Sequence, residues 1–231
     1  MLNHRPAAAR GHFDHGWLNT FHTFSFAGYL DPAHMGFRSL RVMNEDRVAA
    51  GRGFGEHAHD NMEILSLVLG GQLEHRDSMG NGSILTPGEV QYMSAGSGVR
   101  HSEFNPSPTE PVHFYQVWIV PDETGATPRY GQTTLDLKQP GVQPIAGDGA
   151  AIELRENAAV SFLRVDAGET LVVPRSRPHQ WVQVLAGSGE VVAGDARQPV
   201  GEGDGVALSD EPQATLAAGS EPLTALVFDL S

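Results

Sequence analysis

Two short pairs of metal-ligating side chains stand out: His57 with His59, and His101 with Glu103. Both pairs are spaced i, i+2. In an extended strand that spacing puts both side chains on one face. Two such strands paired inside one barrel would bring three imidazoles and a carboxylate to one inward point. That set suits Fe, Cu, Ni, Co, Mn or Zn, and lacks the all-oxygen character that Ca and Mg require. A single HxH is more often a surface or core histidine pair than a metal site. A second pair of the same spacing in the same His-rich half shifts the balance toward a metal centre. Glu63, four residues beyond His59, is a further candidate acid.

The rest of the composition narrows the chemistry. The 231 residues include 11 His and no Cys. There can be no disulfide framework, thiolate site or cysteine nucleophile, so any metal must be held by imidazole and carboxylate. The net charge is −13, and the 15 Lys and Arg are scattered rather than clustered. A phosphate-binding surface needs a basic patch, so a nucleic-acid partner is not expected. The start, MLNHRPAAARG, has no apolar core of a signal peptide. Apolar runs such as Ile64–Leu69 are strand-sized, far below the roughly 20 residues that span a bilayer. A soluble cytoplasmic protein without a membrane partner is expected.

The elements that must position these residues read as strands. Twenty-seven Gly and 15 Pro punctuate the chain at short intervals. Between them lie runs rich in β-branched and aromatic residues: Ile64–Leu69, Val112–Val120, Ala159–Val165, Trp181–Leu185 and Leu223–Phe228. Many short strands at regular spacing indicate a sandwich or barrel. No long segment has helical periodicity. The Gly- and Pro-rich stretch 136–150 reads as a connection between a metal-binding domain, 1–135, and a second domain, 151–231. The halves also resemble each other. Gly51 and Gly70 stand nineteen apart, as do Gly168 and Gly187, and each segment ends in a strand-like run. This alignment sets Pro174 against His57, Ser176 against His59 and Gln180 against Glu63. It indicates a duplication whose second copy has lost its ligands.

The spacing G-x5-H-x-H-x3-E-x6-G, from Gly51 through His57, His59 and Glu63 to Gly70, matches the first cupin motif. Gly98-x2-His101-x3-Asn105 resembles the second, although Gly96 stands where that motif usually has Pro. Three longer segments, His22–Asp46, His57–Asn81 and Met93–Pro106, resemble the pirin family, and the second half resembles its degenerate second cupin. The nearest likeness is to bacterial pirins with quercetin 2,3-dioxygenase activity.

The resemblance implies an all-β bicupin, two antiparallel jelly-roll barrels with one metal site in the first. It implies His57, His59, His101 and Glu103 as the metal ligands, with Glu63 a supporting acid. It further implies one divalent transition metal, with iron placed first and Cu, Ni, Co, Mn or Zn as alternatives. The implied activity is cleavage of a flavonol such as quercetin with O2 and release of carbon monoxide, with Glu103 as catalytic base. The alternative is a metal-dependent regulatory protein or redox switch that contacts transcription or metabolic partners. A monomer is expected, because two barrels of one chain can imitate a cupin dimer. Among other residues, His22, His34, His75 and His113 are expected as structural hydrogen-bonders or surface groups, one of them able to orient a ligand. Phe24, Phe26, Tyr29 and Phe37 are expected in the core or at a rim, and Met43, Met62 and Met93 in the core rather than beside the metal.

Overall fold

The computed structural model describes residues 1–211 and 213–231, nearly all in antiparallel strands or the turns between them. The chain forms two compact units. The first comprises Gly11–Leu135 with Leu154–Glu156, and the second Met1–Arg10 with Asp136–Glu153 and Asn157–Ser231. Strand β1 (Leu2–Arg5) belongs to the second unit. The first unit holds β2 (Gly11–Asp14), β3 (Leu18–His22), β4 (Leu40–Val48), β5 (Gly53–His59), β6 (Glu63–Gly70), β7 (Leu73–Asp77), β8 (Gly82–Leu85), β9 (Glu89–Ser94), β10 (Val99–Phe104), β11 (Val112–Ile119) and β12 (Arg129–Thr134). They form a seven-stranded sheet, β12-β9-β6-β11-β4-β3-β2, and a four-stranded sheet, β5-β10-β7-β8.

The second unit continues with β13 (Gly141–Ala146), β14 (Ala158–Val165), β15 (Thr170–Val172), β16 (His179–Ala186), β17 (Ser188–Ala193), β18 (Ala196–Gly201), β19 (Gly205–Ser209), β20 (Ala214–Ala218) and β21 (Leu223–Leu230). Its sheets are β1-β19-β16-β21-β14-β13 and β15-β20-β17-β18. Each unit is therefore a double-sheet jelly roll of the cupin kind. Among the described residues, the one helical element is the 3-10 turn Ala7–Ala9, and no helix is long and apolar enough to cross a membrane.

The domain boundaries expected from composition differ from this division at three places, one being Leu154–Glu156, which clusters with the first unit. The first ten residues fold with the second unit, because β1 pairs with β19, from Leu2 opposite Leu208 to Arg5 opposite Gly205. Residues 136–150 are not merely a connection. Their Gly and Pro content hides β13, which pairs with β14 at the edge of the six-stranded sheet. A proline is tolerated in an edge strand, and Pro144 sits there opposite Ser161.

The duplication is present, but in a register one residue away from the glycine spacing at the β6 and β16 strands. Gly71 and Gly187 are the equivalent turn glycines. Both have positive φ (73° and 82°), and a Cβ on either would collide with a proline carbonyl, that of Pro111 or of Pro222. Likewise Gly88 N–H donates to Val68 O, and Gly203 N–H to Val184 O. This places His179, not Gln180, at the position of Glu63. The pairing of β5 and β15 with their neighbours places Val173, not Pro174, at that of His57. A one-residue slip inverts every side chain of a strand, so the difference decides which residues face inward.

The inner face of the first unit's large sheet carries an uninterrupted polar row. Cross-strand partners run from His22 to Asn44, to Gln116, to Ser66 and to Gln91. Apolar residues pack at one end of the same barrel, in a cluster that includes Leu18, Val68, Leu73, Leu85 and Phe114.

Candidate metal centre

Strand β10 lies between β5 and β7 and sets the geometry of the site. His101 stands opposite His57 on one side and opposite Asp77 on the other, and Glu103 stands opposite His75. The register of β10 on β5 shifts between His101 and Glu103, which brings Glu103 opposite Phe54. Such bulges re-aim side chains and are common beside active sites.

The ligand atoms of His57, His59 and His101 lie within 4.8 Å of one another. The Nε2 atoms of His57 and His101 are 3.0 Å apart. Two imidazole nitrogens held at right angles around an ion at about 2.1 Å would be separated by about 3.0 Å, so the spacing fits a shared metal. Burial drives the His101 pKa down to about 3, and neighbouring His57 and His75 add to the fall. Burial, with His101 and His57, lowers that of His59 to about 4. Both rings are thus neutral at physiological pH, the form that ligates a metal.

Glu103 shares a second, overlapping group with His101 and His75, whose ligand atoms also lie within 4.8 Å of one another. Its carboxylate is buried and held by Ser66 Oγ at 3.3 Å and Gln116 Nε2 at 2.7 Å. The three histidines of the paired spacing thus form one group, while Glu103 falls in a second group with His75, and His101 is common to both. Glu63 does not join them. It is fully buried on β6, where it accepts hydrogen bonds from the Tyr92 hydroxyl and from Arg155 N–H at 3.1 Å.

The hydrogen bonds around the ligands fix their tautomers. His57 Nδ1 lies 2.8 Å from the carbonyl of Gly55, so it carries the proton and frees Nε2. Behind His101, His75 Nε2 contacts Asp77 Oδ2 at 3.2 Å. Burial pushes the Asp77 pKa up, but hydrogen bonds from Asn81, His75 and Met79 outweigh it and hold the group below the usual carboxylate range. An ionised Asp77 can only accept, so the His75 proton sits on Nε2. His75 Nδ1 then accepts, from Gln91 Nε2 at 3.1 Å and from His101 Nδ1 at 3.4 Å. His101 consequently presents a bare Nε2 toward His57. Carboxylate-to-histidine chains of this kind orient metal ligands.

A cavity of about 470 Å³ opens on this cluster. Its lining includes His57, His59 and Glu103, the apolar side chains Trp17, Leu18, Phe26, Phe54 and Trp118, and the polar residues Thr20, His22, Asn44, Asp46 and Gln116. Burial drives the Asp46 pKa up to about 7. The Thr20 hydroxyl opposes the rise, and the Glu103 and Glu45 carboxylates add to it. His34 and His113 are the hydrogen-bonders expected, to Asp31 at 2.9 Å and Glu45 at 3.1 Å. Met43 and Met93 are fully buried outside the cavity lining. His22 differs from its structural reading, since it lines the cavity, and Trp17, Asn44, Asp46, Gln116 and Trp118 were not singled out at all. The signal for several was available: Asn44, Asp46 and Gln116 are polar residues inside strand-like runs, where burial is costly without a purpose.

The model of the Pirin family matches residues 3–119, and that of the quercetinase C-terminal cupin domain matches residues 142–230. The chain belongs to the pirin family. It is 43% identical over 233 residues to a quercetin 2,3-dioxygenase of Escherichia coli K12, covering 100% of this chain and 99% of that protein. A pirin-like protein of Caulobacter vibrioides is 36% identical over 224 residues, covering 94% and 95%. Among solved structures, the bacterial pirin YhhW of Escherichia coli in complex with nickel(II) superposes with a TM-score of 0.90 at 42% identity, covering 100% and 99% of the two chains. The bicupin architecture expected of a pirin is therefore the one found. The His and Glu donor groups fit a divalent transition metal, and that relative is a complex with nickel(II).

Proposed function

We propose that the protein is a metal-dependent dioxygenase that opens the central ring of a flavonol such as quercetin. One O2 is consumed, two ring C–C bonds break, carbon monoxide leaves and a phenolic ester remains. The observation that carries this reading is the cavity, largely apolar and large enough for a flat aromatic molecule, that opens directly on His57, His59 and Glu103. Ligand sites are typically clefts of roughly 300–1,000 Å³ with a few convergent polar groups. A regulatory switch acting by surface contact has no need of such a space.

In this reading His57, His59, His101 and Glu103 hold one metal ion, iron first among the candidates. Bound there, the metal supplies Lewis acidity toward the flavonol oxygens and redox chemistry with O2. The chain's own residues do the rest. The flat rings lie against Trp118, Phe26, Phe54 and Trp17, which exclude water from the reacting face. Glu103 accepts the proton of the flavonol 3-hydroxyl as general base. Gln116 and Ser66 hold its carboxylate in place. Asp46 stays substantially protonated near neutrality, which limits repulsion beside Glu103. The partners of a single chain are then a flavonol and O2, with no nucleic acid and no membrane required.

The test is reconstitution in turn with Fe(II), Cu(II), Ni(II), Co(II), Mn(II) and Zn(II). Loss of quercetin absorbance is followed together with oxygen uptake and carbon monoxide release. Equal amounts of quercetin lost, oxygen consumed and carbon monoxide released with at least one redox metal are expected. Metal bound without gas exchange in every case would contradict the proposal.

A further inference from the structure

The cavity has a second polar pole that the metal chemistry leaves unused. His22 on β3 and Asn44 on β4 are direct cross-strand partners and face the same cavity. Both are at least nine-tenths buried, at 5% and 3% exposure. His22 Nδ1 and Asn44 Oδ1 are buried with no hydrogen-bond partner in the protein. A buried polar atom left unpaired costs roughly 1–3 kcal/mol, and native proteins leave few such atoms. Two of them on neighbouring cavity-lining side chains leave that wall with polar groups the protein does not pair, which a ligand in the cavity would satisfy after a small turn of either side chain.

An aromatic path leads from this pole to the metal centre. His59 meets Trp118 edge to face at 4.8 Å between ring centroids, Trp118 meets Phe26 at 5.3 Å, and Phe26 meets His22 at 5.3 Å. Asn44 is in turn the cross-strand partner of Gln116, which holds Glu103. Neighbouring strands are about 4.8 Å apart, so Asn44 lies one strand and His22 two strands from Gln116. A flat molecule with one end at Glu103 and His59 would reach His22 and Asn44 with the other.

We infer that His22 and Asn44 form a specificity subsite for hydroxyl groups on the end of the substrate remote from the metal. The ligand class is a planar, multi-ring aromatic carrying one hydroxyl at the metal end and hydrogen-bond donors at the other. This rests on the flavonol reading above and deepens it. Asn44 Oδ1 can only accept, so it requires a donor. Burial, with nearby His15, lowers the His22 pKa to about 4, so its ring is neutral and able to accept a hydroxyl proton. Bare hydrocarbon at that end would leave both atoms unpaired.

The test is equilibrium binding without turnover, on protein loaded with redox-inert Zn(II) and without oxygen. Quercetin, hydroxylated on its outer rings, is compared with 3-hydroxyflavone, which carries only the hydroxyl for the metal end. Wild-type protein is expected to bind quercetin about tenfold more tightly or better, the order of two buried neutral hydrogen bonds. In Asn44→Leu and in His22→Phe the ratio is expected to fall toward one, with zinc content retained. Asn44→Thr, smaller and still polar, serves if Asn44→Leu does not fold. A ratio that survives in the folded variants would overturn the subsite. Failure of wild-type protein to bind either flavonol, with zinc in place, would instead overturn the flavonol reading and the subsite with it.

Discussion

The two units use the same strand register to build opposite interiors. At the positions of His57, His75, Asp77, His101 and Glu103, the second unit has Val173, Val191, Ala193, Ala214 and Leu216. At those of Ser66 and Gln116 it has Val182 and Val227. All seven replacements belong to one continuous apolar cluster. Burial of a Val or Leu side chain contributes about 1.5–3 kcal/mol, so the second interior is a stabilising core. The first interior keeps seven polar side chains in the same places, each engaged in a hydrogen bond or grouped around His101. The lesson is that the barrel does not require a polar interior. The first unit keeps one at the expense of core stability, which is the expected signature of function.

The largest expected effect of a single substitution falls on Glu103. Glu103→Gln keeps the shape and most of the hydrogen bonding but removes the base. Turnover of quercetin should fall about 10²–10⁴-fold, and unchanged turnover with metal retained would remove Glu103 from that role. Its counterpart in the second unit should behave in the reverse way. Leu216→Ala is expected to cost about 2–5 kcal/mol of stability through a cavity, read as a shift in urea midpoint, while metal affinity stays the same. A loss of metal affinity there would blur the division between the two interiors.

A smaller effect belongs to the residues behind the ligands. His75→Phe removes the acceptor that fixes the His101 tautomer, and metal affinity should drop about 10–100-fold in a competition titration with a chelator. A variant that binds metal as tightly as wild type would show the Asp77–His75 chain to be packing only.

A separate expected effect is in the pH dependence of the metal-free protein. His22, His59 and His101 have pKa values lowered to about 4, 4 and 3 from an unfolded value of 6.5. Between about pH 4 and 6.5 the unfolded chain binds more protons at these sites, so their contribution to stability rises with pH across that window. Asp46, raised to about 7 from 3.8, acts in the opposite direction over most of the same range. Three groups against one leave a net rise. The urea midpoint of metal-free protein should therefore increase from pH 4 to 6.5, and more steeply in Asp46→Asn. A flatter profile in that variant would contradict the assignment.

The candidate ligands were legible because their i, i+2 spacing is a property of one strand, and strand periodicity is local. Most strands were legible for the same reason: Ile64–Leu69 lies within β6 and Trp181–Leu185 within β16. What depends on pairing between distant segments was not. The exchange of β1 into the second unit, the edge strand hidden in a Gly- and Pro-rich stretch, and the offset between repeats all rest on partners far away in sequence. Glycine spacing misled by one residue because Gly70 and Gly71 adjoin, and only Gly71 has the positive φ and the close proline carbonyl that define the turn. The cavity wall was missed because His22, the pair Asn44 and Asp46, and Trp118 come from three strands, β3, β4 and β11, that meet only through sheet pairing.

The central claim is that one interior holds a metal and the other holds none. Metal content per chain, measured by elemental analysis after reconstitution with excess Fe(II) and removal of unbound ion, tests it most directly. The account predicts one ion per chain in wild-type protein and close to none in His101→Ala. Two ions per chain, or one ion retained in His101→Ala, would contradict it.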